Sequence, residues 1–316
     1  MTNESFTPPV EGNPSNEESA EAKRKVALMR HLPRDKDFQP TEEGREAAKL
    51  KAKELISELE AMPMGSVMII VPSIVPRNVL TRDIFERELK EHYQGNEHVR
   101  FISLSDAERS RDSLEQAKGN FDNKFVITDA TPQTLLGYTE TNLALPAFKK
   151  YLQMFDGDEE LTGKFWLASS EEQQQMKDEI TKKVPGIDTE VLYSGDFVLT
   201  PEDFARNYIL SIKRMHDLAE RYFPHQLTKV VNITHDFYSD FATMALMGKE
   251  LNLKSFEEFG STFRNFLEST EIEFHEEQIV VKYRDQVVAM KKSLEEMLQD
   301  LEVFSRKRKE DWSQQD

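Results

Sequence analysis

Cysteine is absent from this chain of 316 residues. That excludes disulfide frameworks, zinc–thiolate sites and cysteine nucleophiles, and it fits a reducing compartment without requiring one. Basic charge is also scarce: Lys and Arg number 41 against 58 Asp and Glu, giving a formal net charge of −17 and a pI of about 5.0. Nucleic acid and anionic membranes both need a broad basic face, so neither is expected as a partner. A small anionic substrate stays compatible, because a local arginine cluster overrides the global sign. No apolar run approaches the length that spans a bilayer. The opening residues Met1-Thr2-Asn3-Glu4-Ser5 lack the basic and apolar regions of a secretory signal. A cytoplasmic protein is the expectation.

What is present is enough apolar residue, 38% of the chain, to bury a sizeable core in one large domain or two small ones. Residues 1–21 are rich in Pro, Asn, Ser and Glu and are expected to stay disordered. From there strands and helices alternate. Val26–Met29 and Ser66–Val71 read as buried strands, and Val99–Leu104 and Lys229–Thr234 as strands. Helices are expected after Thr41, from Pro76-Arg77, after Thr200-Pro201-Glu202-Asp203 and after His235-Asp236. The alternation implies an α/β fold, a three-layer α/β/α sandwich around a mostly parallel sheet. The span 105–190 is less periodic and is read as an insertion shaping the mouth of a site. Within it Asp106–Gly119 and Pro146–Phe155 read as helical, Thr131–Asn142 as turn-like, and Lys124–Thr128 and Phe165–Ala168 as short strands. Glu190–Tyr193 is a further expected strand, and Ile272–Phe274, Gln278–Tyr283 and Val287–Met290 read as late strands with a hairpin. Residues 22–290 are taken as one domain, followed by a charged helix and tail over 291–316.

The stretch Lys25-Val26-Ala27-Leu28-Met29-Arg30-His31-Leu32-Pro33-Arg34 organises the rest. An apolar strand runs into a turn that carries Arg30, His31 and Arg34. A second strand ends at Ser73, with Arg77 in the first turn of the next helix. A third ends in His235-Asp236. In open α/β sheets ligands bind at the carboxyl ends of the strands, so these residues make a candidate phosphate site.

Set in order, the motifs resemble those of the histidine phosphatase superfamily, the phosphoglycerate-mutase-like proteins. Leu28-Met29-Arg30-His31 is similar to its strand-Arg-His start, and Thr41-Glu42-Glu43-Gly44 to its helix start. Ser73, Arg77 and Thr81 match its Ser-x-x-x-Arg-x-x-x-Thr signature, and Ile233-Thr234-His235 its second histidine. Arg34 and Asp236 resemble the acid-phosphatase branch. The similar segments cover roughly 25–90 and 190–290. The resemblance implies a phosphomonoester hydrolase in which His31 is the nucleophile and forms a phosphohistidine. Arg30, Arg34 and Arg77 would hold the phosphoryl oxygens, joined by His235, and Asp236 would protonate the leaving group, with Asp106 and Glu108 as alternatives. The scheme needs no metal and no cofactor, and its partner is a small phosphorylated substrate.

Plainer readings stand beside these. His31 reads equally as a satisfied strand-end histidine, Asp236 as a helix N-cap, and Ser73 and Thr41 as caps. Arg77 opposes the helix dipole, which favours an anion partner over a structural role. His92, His98, His216, His225 and His275 read as surface or packing residues, Phe256–Phe266 as helical core, and Arg306-Lys307-Arg308-Lys309 as a solvated helix end. Leu32 stands where the family has glycine, which would reshape the loop. Two competing functions follow: a non-catalytic module binding a phosphorylated ligand or partner protein, and a phosphoglycerate-mutase-type phosphotransferase.

Overall fold

The computed structural model describes residues 23–33, 40–73, 76–104, 114–129, 155, 159–183, 200–234, 236–259 and 265–313. The tail over 1–21, most of the expected helices in 106–119 and 146–155, the stretch 131–142 and the expected strand over 190–193 lie outside them. So do Arg34, Asp106, Glu108 and His235.

The strands are β1 (Arg24–Arg30), β2 (Val67–Pro72), β3 (Val99–Leu104), β4 (Lys124–Asp129), β5 (Thr228–Thr234), β6 (Ser269–Phe274), β7 (Ile279–Tyr283) and β8 (Gln286–Ala289). They form one sheet in the order β3-β4-β2-β5-β1-β6-β7-β8. The first five strands in that order are parallel to one another, and β6, β7 and β8 continue antiparallel. The expected C-terminal hairpin is β7–β8, closed by a turn with Arg284 at φ 52°. Of the span read as an insertion, Lys124–Asp129 is a strand of this sheet, paired on both sides.

The helices are α1 (Glu42–Ala61), α2 (Pro76–His92), α3 (Glu159–Leu167), α4 (Ser170–Lys183), α5 (Pro201–Tyr222), α6 (Asp236–Leu246), α7 (Leu253–Glu258) and α8 (Leu294–Ser313). Successive strand residues point to opposite faces, and the core divides accordingly. Met29, Ile70, Val126 and Val231 meet α1 and α2 through Leu55, Leu59, Phe85 and Leu89. Val26, Leu28, Ile69 and Ile127 meet the opposite layer through Phe165, Trp166, Tyr208 and Phe241. The three layers of the sandwich are therefore present. Lys229 braces them: its ammonium pairs with Glu58 of α1 and Glu271 of β6 at 2.5 and 2.9 Å. Burial alone would lower its pKa, but Glu271 and Glu58 outweigh it and hold the group above the ordinary lysine value.

Three expectations are corrected. Phe165–Ala168 is not a strand: Phe165, Trp166 and Leu167 end α3, and all four residues are buried. A short continuous apolar run does not distinguish a buried strand from a buried helix turn. Of the Phe-rich run 256–266, Phe256 lies in α7, which ends at Glu258; Phe259 follows the helix, Phe266 sits in a turn before β6, and 260–264 lie outside the described residues. The C-terminal basic run also differs from a solvated helix end. Arg306 is exposed, but Arg308 makes a two-pronged pair with Glu202 of α5, at 2.7–3.0 Å.

Candidate active site at the ends of β1, β2 and β5

β5 lies between β1 and β2 in the sheet. Its register sets Thr234 level with Arg30 and Ile233 level with Pro72, so three parallel strands end together. The last residue of β1 is Arg30, and His31 follows. The residue after β2 is Ser73, and α6 opens two residues beyond the end of β5. Three motifs far apart in sequence thus lead out of one edge of the sheet. Sequence pattern marked the strand ends; adjacency comes from the strand order.

His31 is fully buried. Its N–H donates to the Thr234 carbonyl at 3.2 Å, tying the end of β1 to the end of β5. Its ring Nδ1 lies 2.7 Å from the carbonyl oxygen of Leu32. A carbonyl only accepts, so Nδ1 carries the proton, and in the neutral ring Nε2 carries the lone pair. That tautomer is the one a nucleophilic imidazole needs.

Leu32 has a buried side chain in the α1/α2-facing core and does not adopt a positive φ. The turn thus accepts a side chain where glycine would be the permissive choice. Its N–H donates to Thr81 Oγ1 at 3.2 Å, and the same hydroxyl donates to the Arg77 carbonyl at 2.8 Å. One hydroxyl therefore links the turn after His31 to the first turn of α2, where Arg77 sits half-buried.

Gly44 fits the same turn from the other side. A Cβ there would stand 2.6 Å from the Pro33 carbonyl oxygen, so only glycine allows α1 to start against residues 31–33. Thr41 caps α1, accepting the Gly44 N–H at 3.0 Å. Ser73 is buried; its N–H donates to the Ile233 carbonyl at 2.9 Å. Asn78 Nδ2 donates to Ser73 Oγ at 2.6 Å and to the Ile233 carbonyl at 3.1 Å, stitching β2, β5 and α2.

Arg30 is half-buried, and its guanidinium lies 4.0 Å above the Phe266 ring. The same ring meets that of His31 at 5.6 Å between centroids, tilted by 50°. Of the residues singled out from the sequence, His31, Arg30 and Arg77 thus belong to one edge, linked by backbone and hydroxyl bonds. Asp236 is the first residue of α6; Arg34 and His235 lie outside the described residues. The other histidines singled out pack or face solvent: His92 contacts Glu60 at 3.0 Å, the His216 ring lies tilted against Phe274, His275 approaches Glu273 at 3.6 Å, and His98 and His225 are exposed.

No family model and no curated protein matches this chain. Among solved structures, a phosphoglycerate mutase from Plasmodium falciparum is similar at 14% identity and a TM-score of 0.30, over 84% of this chain and 99% of its own. Mycobacterial hydrolase 2 is similar at 10% identity and a TM-score of 0.38, over 89% of this chain and 97% of its own. Similarity this distant decides neither fold family nor activity; the sandwich stands on its own strand order. No described helix is long and apolar enough to cross a membrane.

Sequence reasoning missed Asn78 and Phe266. A buried amide one residue after Arg77, on a helix otherwise lined by Leu80, Ile84 and Phe85, was the available signal for the first. For the second there was none, because Phe266 merged with an apolar run.

Proposed function

We propose that this protein is a member of the histidine phosphatase superfamily that hydrolyses a small phosphomonoester through a phosphohistidine on His31. The observation that carries the reading is the Nδ1 bond of His31 to the Leu32 carbonyl, at the level where β1, β2 and β5 end together. With Nδ1 protonated, Nε2 attacks phosphorus; the Nε2–P bond forms as the P–O bond to the leaving group breaks. The leaving oxygen takes its proton from Asp236. Water then attacks phosphorus, passing a proton to the Asp236 carboxylate as the Nε2–P bond breaks, which releases inorganic phosphate and restores both the imidazole and the acid. Arg30, Arg34, Arg77 and His235 hold the phosphoryl oxygens with charge-assisted bonds. In a loose phosphoryl transition state, positioning and charge supply most of the catalysis. The absence of cysteine accords with a cytoplasmic setting.

The test uses a generic aryl phosphate. Turnover with one equivalent of phosphate transiently on the chain, mapped to His31 and lost in His31→Ala with an unchanged melting temperature, is the expected result. A His31→Ala variant as active as the wild type would sink the reading. Phosphate binding with no turnover in the wild-type chain would replace hydrolysis with the binding-module function.

A further inference from the structure

The turn Asn265–Glu268 enters β6 beside the end of β1 and is built with unusual care. Leu267 sits at φ 62°, in the left-handed region that a leucine adopts only under constraint. The constraints are visible. Its N–H donates to the Arg30 carbonyl, and the Glu268 carbonyl accepts the Arg30 N–H, both at 3.1 Å. The Leu267 side chain is buried in the α1/α2-facing core. The Glu268 carboxylate closes the turn on itself by accepting the Asn265 N–H at 2.7 Å, and it takes the Arg284 Nε–H at 2.8 Å. No glycine relieves the strained position. What the strain achieves is the placement of Phe266, whose ring lies under the Arg30 guanidinium at 4.0 Å and against the His31 imidazole at 5.6 Å.

We infer that Phe266 is a positioning residue of the phosphate site, holding the guanidinium of Arg30 and the ring of His31 in a fixed mutual orientation. This rests on the phosphatase reading above. The physics favours a ring over a carboxylate for this task. A carboxylate would neutralise Arg30 and occupy its in-plane N–H donors. A ring attracts the cation through its face and does not itself occupy the donor edge. Phe266 also limits the tilt of His31, whose Nδ1 is already fixed by Leu32, so both attacking group and anion holder depend on one side chain.

The experiment measures inorganic phosphate binding by calorimetry and aryl phosphate kinetics in the full chain, for Phe266→Leu and Phe266→Tyr. Leucine keeps apolar bulk without the ring; tyrosine keeps the ring. Phosphate affinity is expected to fall about five- to tenfold in Phe266→Leu, in the range of a partly desolvated cation–π contact. KM should rise in parallel, and Phe266→Tyr should restore both to within about twofold. A double-mutant cycle guards against a general loosening of the fold: in an Arg30→Met background, Phe266→Leu should cost no further affinity. Unchanged phosphate affinity in Phe266→Leu, a tyrosine variant as weak as the leucine one, or losses that multiply in the double variant would each overturn the inference. A wild-type chain that binds no phosphate would instead remove the underlying reading, visibly and before any variant is compared.

Discussion

The seam between α5 and α8 and the edge where β1, β2 and β5 end are both polar, yet the bonds seen among the described residues differ in kind. At the seam, full charges cancel in pairs. Glu202 meets Arg308, Asp203 meets Lys309 at 2.7 Å, and Arg206 and Lys213 meet Glu302 and Glu295 at 3.3 Å. Leu294, Met297 and Leu301 are buried beneath. At the strand ends, the bonds described around His31 come from neutral groups: the carbonyls of Leu32 and Thr234, the Thr81 hydroxyl, the Asn78 amide and the Phe266 ring. Cancellation stabilises one element against another. Neutral scaffolding fixes geometry without changing the charge of what it holds, which is the property an anion site needs.

The comparison breaks most sharply at Arg308. The Arg308–Glu202 pair is well shielded, with side chains 17% and 6% exposed, and Arg308 also donates to the Leu251 carbonyl at 2.6 Å. Arg308→Ala leaves Glu202 buried without that partner, which is expected to cost about 3 kcal/mol in urea unfolding. Phosphate affinity should not change. If it fell along with stability, the two regions would not be separable.

Thr81 offers the reverse experiment at the strand-end edge. Thr81→Val keeps the shape and deletes the hydroxyl, leaving the Leu32 N–H and the Arg77 carbonyl without it. The expected stability loss is about 1–2 kcal/mol, smaller than at Arg308, but here aryl phosphate turnover should fall as well. Thr81→Ser should recover most of both. A valine variant with wild-type turnover would show that the hydroxyl only supports the core.

The two regions were not equally legible in the sequence. Helix starts were: α5 begins at Thr200-Pro201 as expected, with Thr200 and Asp203 forming a capping box, and Thr41 caps α1. Strand existence was too, because β1 and β2 hold continuous apolar runs and β5 carries Val230, Val231 and Ile233 in a β-branched stretch. Register and order were not, since no local pattern says that β5 inserts between β1 and β2; that comes from long-range packing. The turn 265–268 was invisible for a different reason. A left-handed residue is normally advertised by Gly or Asn, whereas Leu267 is held there by tertiary bonds. Arg308 was misread because a basic run at a helix end looks solvated until its acidic partners, about 106 positions earlier, are seen to face it.

The smallest expected effect separates a buried histidine from a half-buried one. His31 belongs to the neutral scaffold at the strand ends. His216 lies on α5, the seam helix, with its ring 4.2 Å from that of Phe274, Asp217 at 3.5 Å, and Arg24 and Glu220 also acting on it. Burial pushes its pKa below the ordinary histidine value, with Arg24 adding to the fall and Asp217 and Glu220 opposing it. With the folded value depressed, the unfolded chain takes up a proton first as pH drops through about 6.5. Stability is therefore complete above that pH and declines below it, levelling off once the folded protein also protonates. His216→Phe keeps a ring against Phe274 and removes the proton site. Urea midpoints at pH 7.5 and 5.5 should show a shallower acid-side decline in the variant than in the wild type. Equal declines would clear His216, because carboxylates held below the usual range, such as Glu273 beside Lys282 and Lys25, give up stability only below about pH 4.5, outside this window.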